Sequence, residues 1–326
     1  MLNKFQISCL LMSTILFIMM INSSSIYTQW LSMEFTTMLL ISTININSNN
    51  KIVSILYFMY SSISSLLLLI IISMNFTQIL LIKNNILNMI LTISMFLKIG
   101  MFPFCFWMIY IYSMSSWIQI FIISTFMKFI PIYFFSSIMF MTKNLFMLLI
   151  FNNIFISIYT NLNFSTKKLF SCSSIFNSTF FIFIIQSNKN LYIFLFMIYI
   201  LIFLLISLIM EFYNINNLNF NNLPPKLFKL LLILIFMYSS FPMFITFMFK
   251  WQLIYFMNFY YSSNLIFLLL LTSMIMLWNY FILTKILIMK SNFYSNYMNK
   301  KKFYFNFYML FILLLYSILF LMFNLI

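Results

Sequence analysis

The stretch TISMFLKIGMFPFCFW, Thr92–Trp107, holds the features on which the interpretation of this chain depends. It is almost wholly apolar, yet Lys98 lies within it, two residues before Gly100, the single glycine of the chain. Pro103 follows, so the helix that carries Lys98 is expected to end in a close turn at Gly100 and Pro103. A full charge inside an apolar run is unfavourable in hydrocarbon and requires an explanation.

Apolar blocks of this kind recur along all 326 residues, 65% of which are hydrophobic and only 6% charged. Continuous blocks of about 20 residues are typical of transmembrane helices, whereas a membrane barrel shows alternating segments of about ten. The sequence predicts an all-α polytopic membrane protein with about eleven transmembrane helices in a single transmembrane domain, residues 1–326. The predicted spans are 5–22, 27–46, 52–74, 85–104, 116–140, 144–160, 168–187, 191–210, 227–250, 262–284 and 304–325.

Two apolar stretches differ from the regular spans. Residues 105–115 stay apolar after the proline, and we expect them to lie along the membrane interface or to cover helix ends. The first block follows Lys4 as in a signal peptide, but no small-residue cleavage site follows it, so a retained helix is expected.

The residue types that are missing exclude several chemistries. The chain has no Ala, Arg, Asp or His, and it is rich in residues with AT-rich codons, which is typical of an AT-rich organellar genome rather than of a function. Without histidine, bis-His haem, His-ligated copper and histidine proton relays cannot be built from this chain alone. Cys9, Cys105 and Cys172 show no C-x-x-C spacing, so they are expected to be small buried residues and not a metal site.

The lysines divide unequally between the two membrane faces when eleven spans are assumed. The N-terminal side would hold Lys4, Lys51, Lys167, Lys168, Lys226, Lys229, Lys285, Lys290, Lys300, Lys301 and Lys302, and the other side only Lys83, Lys143 and Lys189. The N-terminus is therefore expected in the positive-inside compartment. In a membrane protein an excess of lysine sets the topology, so the net charge of +15 does not indicate nucleic-acid binding. The lipid bilayer is the expected partner.

Four charged residues belong to no loop: Glu34, Lys98, Lys128 and Lys250. A charge near the bilayer centre costs about 2.5–3.5 kcal/mol on insertion scales, so such residues indicate a functional site. The alternative for each lysine is a side chain that reaches the membrane interface, and for Glu34 a position near the headgroups.

Prolines accompany two of these lysines. Pro131 follows Lys128 in STFMKFIPIYFF, and Pro242 interrupts SSFPMFITFMFKW before Lys250. Proline frees a backbone carbonyl, and a broken helix at membrane depth is tolerated where it lines a cavity or site. We therefore predict helix breaks at both prolines.

A polar track runs through span 168–187. Its members, spaced three and four apart with one asparagine beside them, are Lys168, Ser171, Ser174, Asn177 and Ser178. Such a face could line water or could hydrogen-bond to other helices, and both interpretations stay open. With the four charges, it suggests a hydrated polar axis in which lysine amines exchange protons.

Five motifs in order carry a family resemblance. LKIGMFPFCFW is similar to the LKLGAAPFHFW signature of the subunit 2 family of mitochondrial NADH:ubiquinone oxidoreductase, respiratory complex I. The other four, spread between residues 30 and 251, are WLSMEFTTMLLI, STFMKFIPIYFF, NFSTKKLFSCSSI and SSFPMFITFMFKW. The last 75 residues add little to the match.

The resemblance implies an antiporter-like fold of inverted repeats with two broken helices. It assigns Glu34, Lys98, Lys128 and Lys250 to a proton-translocation pathway, coupled to NADH oxidation and ubiquinone reduction elsewhere in the complex. It implies no cofactor in this chain, with FMN, iron–sulfur clusters and ubiquinone in other subunits. The other complex I membrane-arm subunits would be its partners. The expected location is the mitochondrial inner membrane, with the N-terminus in the matrix and the C-terminus in the intermembrane space.

The chain departs from the family at two histidines. Cys105 replaces one, and Phe176 or Asn177 replaces the other, which lies on the family's central axis. Either a water held by Asn177 and Ser178 would bridge this position, or the lysines would carry the proton without it. The alternatives are a scaffold subunit that no longer pumps and a stand-alone cation/proton antiporter, although the lack of Asp ligands argues against the latter.

Overall fold

The computed structural model describes residues 4–46, 51–77, 84–139, 142–162, 165–213, 225–241, 245–258 and 262–295. Within these ranges all regular elements are α-helices. They are α1 Lys4–Asn22, α2 Ile26–Ile46, α3 Ile52–Thr77, α4 Asn84–Ile99, α5 Cys105–Met114, α6 Trp117–Ser124, α7 Phe126–Ile138, α8 Lys143–Asn161, α9 Thr166–Ser187, α10 Lys189–Phe212, α11 Pro225–Tyr238, α12 Ile245–Asn258 and α13 Ser263–Ser295.

The predicted membrane class is confirmed. Seven segments of the described residues are long and apolar enough to cross a bilayer, and shorter apolar helices accompany them. Most predicted spans agree with the helices to within a few residues, because continuous hydropathy marks the buried length of a membrane helix directly. The predicted span 304–325 lies outside the described residues.

The described residues form two compact units. The first comprises the described parts of 1–156 and 170–186, and the second those of 157–169 and 187–326. The single transmembrane domain of residues 1–326 stays a prediction.

In the first unit, α2 is the central helix, since it contacts α1, α3, α6 and α7. Helix α4 packs against α3 and α7, and α5 packs against α3. In the most apolar 18 residues of the span formed by α6 and α7, 89% of the residues are buried. The corresponding share in α3 is only 33%. Large apolar side chains of α3 such as Leu66 are therefore exposed on the face that lipid would cover.

In the second unit, α11 contacts α10, α12 and α13, and α12 also contacts α13. Two buried tyrosines join α10 to α11, since the hydroxyls of Tyr199 and Tyr238 lie 3.2 Å apart. The ring of Tyr238 also packs edge-on against Tyr280 of α13.

The predicted span 85–104 is shorter in the structure, because α4 ends at Ile99. The following apolar segment, predicted to lie at the interface or over helix ends, forms the separate helix α5. Six of its ten residues are buried, so one face belongs to the interior of the first unit. An apolar run of this length carries no sequence cue that separates an interfacial segment from a buried helix.

The span 116–140 is broken, but at Thr125 rather than at Pro131. The backbone N–H and the hydroxyl of Thr125 both donate to the Phe121 carbonyl, at 3.1 and 2.6 Å, and thereby close the end of α6. Pro131 lies inside α7. A proline disturbs the turn before it, because it lacks the N–H for the carbonyl four residues earlier and its ring crowds that group.

The span 227–250 is also broken. Helix α11 ends at Tyr238, and α12 begins at Ile245 and continues to Asn258, beyond the predicted end. Lys250 therefore lies within a helix instead of at the end of one. The predicted break residue Pro242 lies outside the described residues.

Candidate functional site

Lys98 and Glu34 form an ion pair inside the first unit. Lys98 lies in the last turn of α4 and is 2% exposed, and its Nζ donates to Oε1 of Glu34 on α2. The Glu34 side chain retains 18% of its exposure. Burial of two opposite charges is tolerated only with close pairing of this kind, so each residue fixes the other.

The turn after Lys98 depends on Gly100. The carbonyl of Phe96 accepts hydrogen bonds from the N–H groups of Gly100 and Met101, both at 2.9 Å. The bond from Met101 is the 6→1 bond of a Schellman C-cap, and the bond from Gly100 is the 5→1 bond of the simpler αL cap. Gly100 adopts φ +76°, a left-handed conformation that glycine supplies at little cost. A Cβ at this position would lie 3.0 Å from the Cβ of Met108 on α5. Gly100 therefore permits both the end of α4 and the close approach of α5.

Asn152 of α8 holds the next part of this turn and was not singled out from the sequence. Its Oδ1 accepts a hydrogen bond of 2.7 Å from the N–H of Phe102, the residue before Pro103. The Asn152 side chain is fully buried. The sequence did indicate a polar site here, because two adjacent asparagines interrupt the predicted span 144–160 in the stretch FNNIF.

Lys128 lies in the first turn of α7, directly after the break at Thr125, and is 2% exposed. Its Nζ donates to Oγ of Ser174 on α9 at 2.9 Å. The Tyr112 hydroxyl of α5 lies 3.0 Å from the same Ser174 oxygen. Three helices of the first unit thus meet at one serine hydroxyl.

The polar track of α9 is mostly buried. Ser171, Ser174 and Ser178 are buried, while Lys168 and Asn177 are half-buried. Ser174 makes contacts to other helices, and the neighbouring Thr179 likewise donates to Oδ1 of Asn153 on α8 at 2.7 Å. Within the track, Ser174 thus makes interhelical hydrogen bonds, and a water-lined face stays a prediction.

Tyr112 was missed by sequence reasoning. It belongs to the segment expected to lie along the membrane interface or to cover helix ends. Because tyrosine is common at the interface, its hydroxyl gave no functional signal. The structure instead places it in the interior of the first unit, with no exposed surface.

Lys250 belongs to the second unit. It lies inside α12, is half-buried, and is followed by Trp251, which is 65% exposed. Upstream of it, the end of α11 shares with the Gly100 turn a 6→1 backbone hydrogen bond and a residue of positive φ. The Phe236 carbonyl accepts from the N–H of Phe241 at 3.2 Å, and Ser240 adopts φ 58°.

The cysteines are buried and free of disulfides, as expected for Cys9, Cys105 and Cys172. Among the described residues, no group of three or more His, Cys, Asp or Glu side chains could hold a metal ion. The described part of the first unit holds two ionisable arrangements, the Glu34–Lys98 pair and the Lys128 amine with its partner Ser174.

Comparison with known proteins decides the family. The chain is 43% identical over 283 residues to NADH-ubiquinone oxidoreductase chain 2 of Apis mellifera ligustica, a match that covers 86% of this chain and 85% of that protein. The chain belongs to the NADH-ubiquinone oxidoreductase chain 2 family. This confirms the resemblance found in the five motifs. No protein-family model matches the chain.

The fold agrees with this family. A chain of respiratory complex I from Thermus thermophilus with bound aureothin is similar in structure, with a TM-score of 0.64 and 14% sequence identity. The match covers 78% of this chain and 64% of that chain, slightly less than two thirds of its length. At this identity the likeness shows the fold alone.

Proposed function

We propose that this chain is a core membrane-arm subunit of respiratory complex I and that it translocates protons through Glu34, Lys98, Lys128 and Lys250. The protons move in response to NADH oxidation and ubiquinone reduction elsewhere in the complex. The observation that carries the proposal is the buried Glu34–Lys98 pair, which joins two helices in a member of the chain 2 family.

Burial supports a functional role for two of the lysines. Lys98 and Lys128 are each 2% exposed, so neither reaches the membrane interface as an anchoring lysine would. Ionisable residues held inside a membrane bundle are costly and commonly mark proton relays. Each of these amines has a polar partner on a second helix, which lets it be held in place while it gains or loses a proton.

For Lys250 the support comes from its sequence motif and its placement. It is the last residue but one of the broken segment SSFPMFITFMFKW and lies half-buried within α12, in the second unit. Interrupted helices at membrane depth are typical of ion-binding and proton-binding sites in transporters. We assign it to the same pathway on these grounds.

Location and partners follow from the family. The chain is a multi-pass protein of the mitochondrial inner membrane in this proposal, surrounded by lipid and by other membrane-arm subunits of complex I. The bias of eleven lysines against three supports an N-terminus in the matrix and a C-terminus in the intermembrane space. The redox groups, FMN, iron–sulfur clusters and ubiquinone, belong to other subunits.

The proposal is tested by separating pumping from assembly. Lys98→Met removes the buried amine, and Lys143→Met removes an exposed lysine at the start of α8 as the matched control. Assembly is followed by native gel electrophoresis and pumping by protons translocated per ubiquinone reduced in reconstituted vesicles. We expect both variants to assemble and only Lys98→Met to lose pumping.

The opposite results identify the other functions. Normal pumping by assembled Lys98→Met complex would indicate a scaffold subunit. Recovery of the wild-type chain as a free protein that exchanges cations for protons would indicate a stand-alone antiporter.

A further inference from the structure

We propose that Ser174 and Tyr112 are positioning residues that hold the Lys128 amine in both of its protonation states. The inference rests on the proposed role of Lys128 in proton translocation. The three side chains come from α9, α5 and α7, and their exposed fractions are 1%, 0% and 2%. Their polar atoms must therefore find hydrogen-bond partners within the protein.

The hydrogen-bond directions follow from counting hydrogens. Ser174 has one hydroxyl hydrogen, which it donates to the Ser171 carbonyl at 2.8 Å. Its oxygen must then accept from Lys128 Nζ at 2.9 Å and from the Tyr112 hydroxyl at 3.0 Å. Both acceptor positions of the serine oxygen are used when Lys128 is charged.

Loss of a proton from Lys128 changes what its amine needs. The neutral amine has a lone pair, which is best satisfied by a donor. The Ser174 hydroxyl can supply one, because a serine hydrogen rotates and can turn from the Ser171 carbonyl to Nζ. Tyr112 can continue to donate to the Ser174 oxygen throughout. One serine thus serves the charged amine as an acceptor and the neutral amine as a donor.

Tyr112 keeps the serine oxygen oriented. Without its hydroxyl, one acceptor position of Ser174 would be left without its donor in a buried environment, which is unfavourable. Tyr112 is itself held by α5, whose approach to α4 depends on Gly100 and Met108. The positioning of Lys128 is therefore linked to the turn that follows Lys98.

The test uses the assembled complex reconstituted in vesicles. Ser174→Ala and Tyr112→Phe each remove one hydroxyl, and Ser174→Thr keeps a hydroxyl at the same position. Ser64→Ala is the matched control, because Ser64 is equally buried and its hydroxyl donates to the Ser61 carbonyl within its own helix. Lys128→Met serves as the reference for complete loss. The rate of proton translocation is measured at equal amounts of assembled complex.

We expect the translocation rate to fall about tenfold in Ser174→Ala, which loses a hydrogen bond to the charged amine, and about two- to tenfold in Tyr112→Phe, which loses a neutral hydrogen bond to Ser174. Ser174→Thr, which keeps the hydroxyl, should retain most of the wild-type rate. If Ser174 only filled space, the presence of the hydroxyl would not matter to the rate. Should Ser174→Ala fail to assemble, Tyr112→Phe alone decides the result.

Two outcomes contradict different statements. Rates in Ser174→Ala and Tyr112→Phe equal to that of Ser64→Ala, together with complete loss in Lys128→Met, would overturn the positioning role and leave the proposed function intact. An unchanged rate in Lys128→Met would overturn the proposed function of this lysine, and the positioning role with it.

Discussion

The amine of Lys98 donates to the carboxylate of Glu34, so residues 64 positions apart in the chain form one buried ion pair. The pair joins the central helix α2 of the first unit to the last turn of α4. Its lysine is followed at once by the Gly100 turn, which leads into the helix that carries Tyr112. The charge pair and the second lysine site are thus connected through a short, well-defined stretch of backbone.

Substitutions of Glu34 and Lys98 should have coupled effects on the stability of the subunit. Glu34→Gln should destabilise the subunit by about 3 kcal/mol, because it leaves the Lys98 amine buried without its counter-ion. The double variant Glu34→Gln, Lys98→Met should regain most of this loss, since no charge then remains. Thermal unfolding of the detergent-solubilised complex measures both effects. Additive losses in the double variant would show that the two residues are not energetically coupled.

Gly100→Ala should destabilise the protein. The left-handed conformation costs a non-glycine residue about 1–2 kcal/mol, and the added Cβ would also press on Met108 at 3.0 Å. We therefore expect a lower melting temperature and a displaced α5. The melting temperature of the complex checks the first effect. An unchanged value would mean that α4 does not need this turn.

Ser240→Gly should have the opposite effect. Ser240 adopts φ 58° at the end of α11, so a residue with a side chain occupies a conformation that suits glycine. The substitution should stabilise this turn by about 1 kcal/mol. Ser239→Gly is the matched control. Of these two serines only Ser240 has a positive φ, so Ser239→Gly should not raise the melting temperature. Equal melting temperatures for the two variants would contradict the assignment of strain to Ser240.

Gln119 should be a structural residue of the first unit. Its side chain accepts from the Ser116 N–H at 2.9 Å and donates to the Ile44 carbonyl at 3.0 Å, which caps α6 and ties it to α2. Gln119→Leu leaves two backbone groups without these partners and should cost about 1–3 kcal/mol. The neighbouring Ile118→Leu should change the melting temperature far less. Similar values for both variants would exclude a role for these two hydrogen bonds.

The sequence predicted the membrane class and the approximate bounds of most described helices, because continuous hydropathy marks the length of a membrane helix. The number of eleven spans stays a prediction. The intramembrane charges were found in the same way, since Lys98 and Lys128 are exceptions to that pattern. Helix breaks were harder to place. Pro131 indicated a disturbed span, but the interruption lies at Thr125, where hydroxyl and backbone bonds close the preceding helix.

Tyr112 and Ser240 could not be found from the sequence, for different reasons. The interior position of Tyr112 depends on the packing of α5, and an apolar segment gives no sign of which face is buried. Ser240 occupies a position where a glycine would have indicated the turn. The chain has a single glycine, Gly100, so this signal is absent at Ser240 although its backbone adopts φ 58°.

The proposal that buried lysines of this chain carry protons is tested by Lys128→Met. The measurement is the number of protons translocated per electron by assembled, reconstituted complex I that carries this variant, with Lys143→Met as the surface control. We expect a clear loss in Lys128→Met and a normal ratio in Lys143→Met. An unchanged ratio in fully assembled Lys128→Met complex would contradict the proposal.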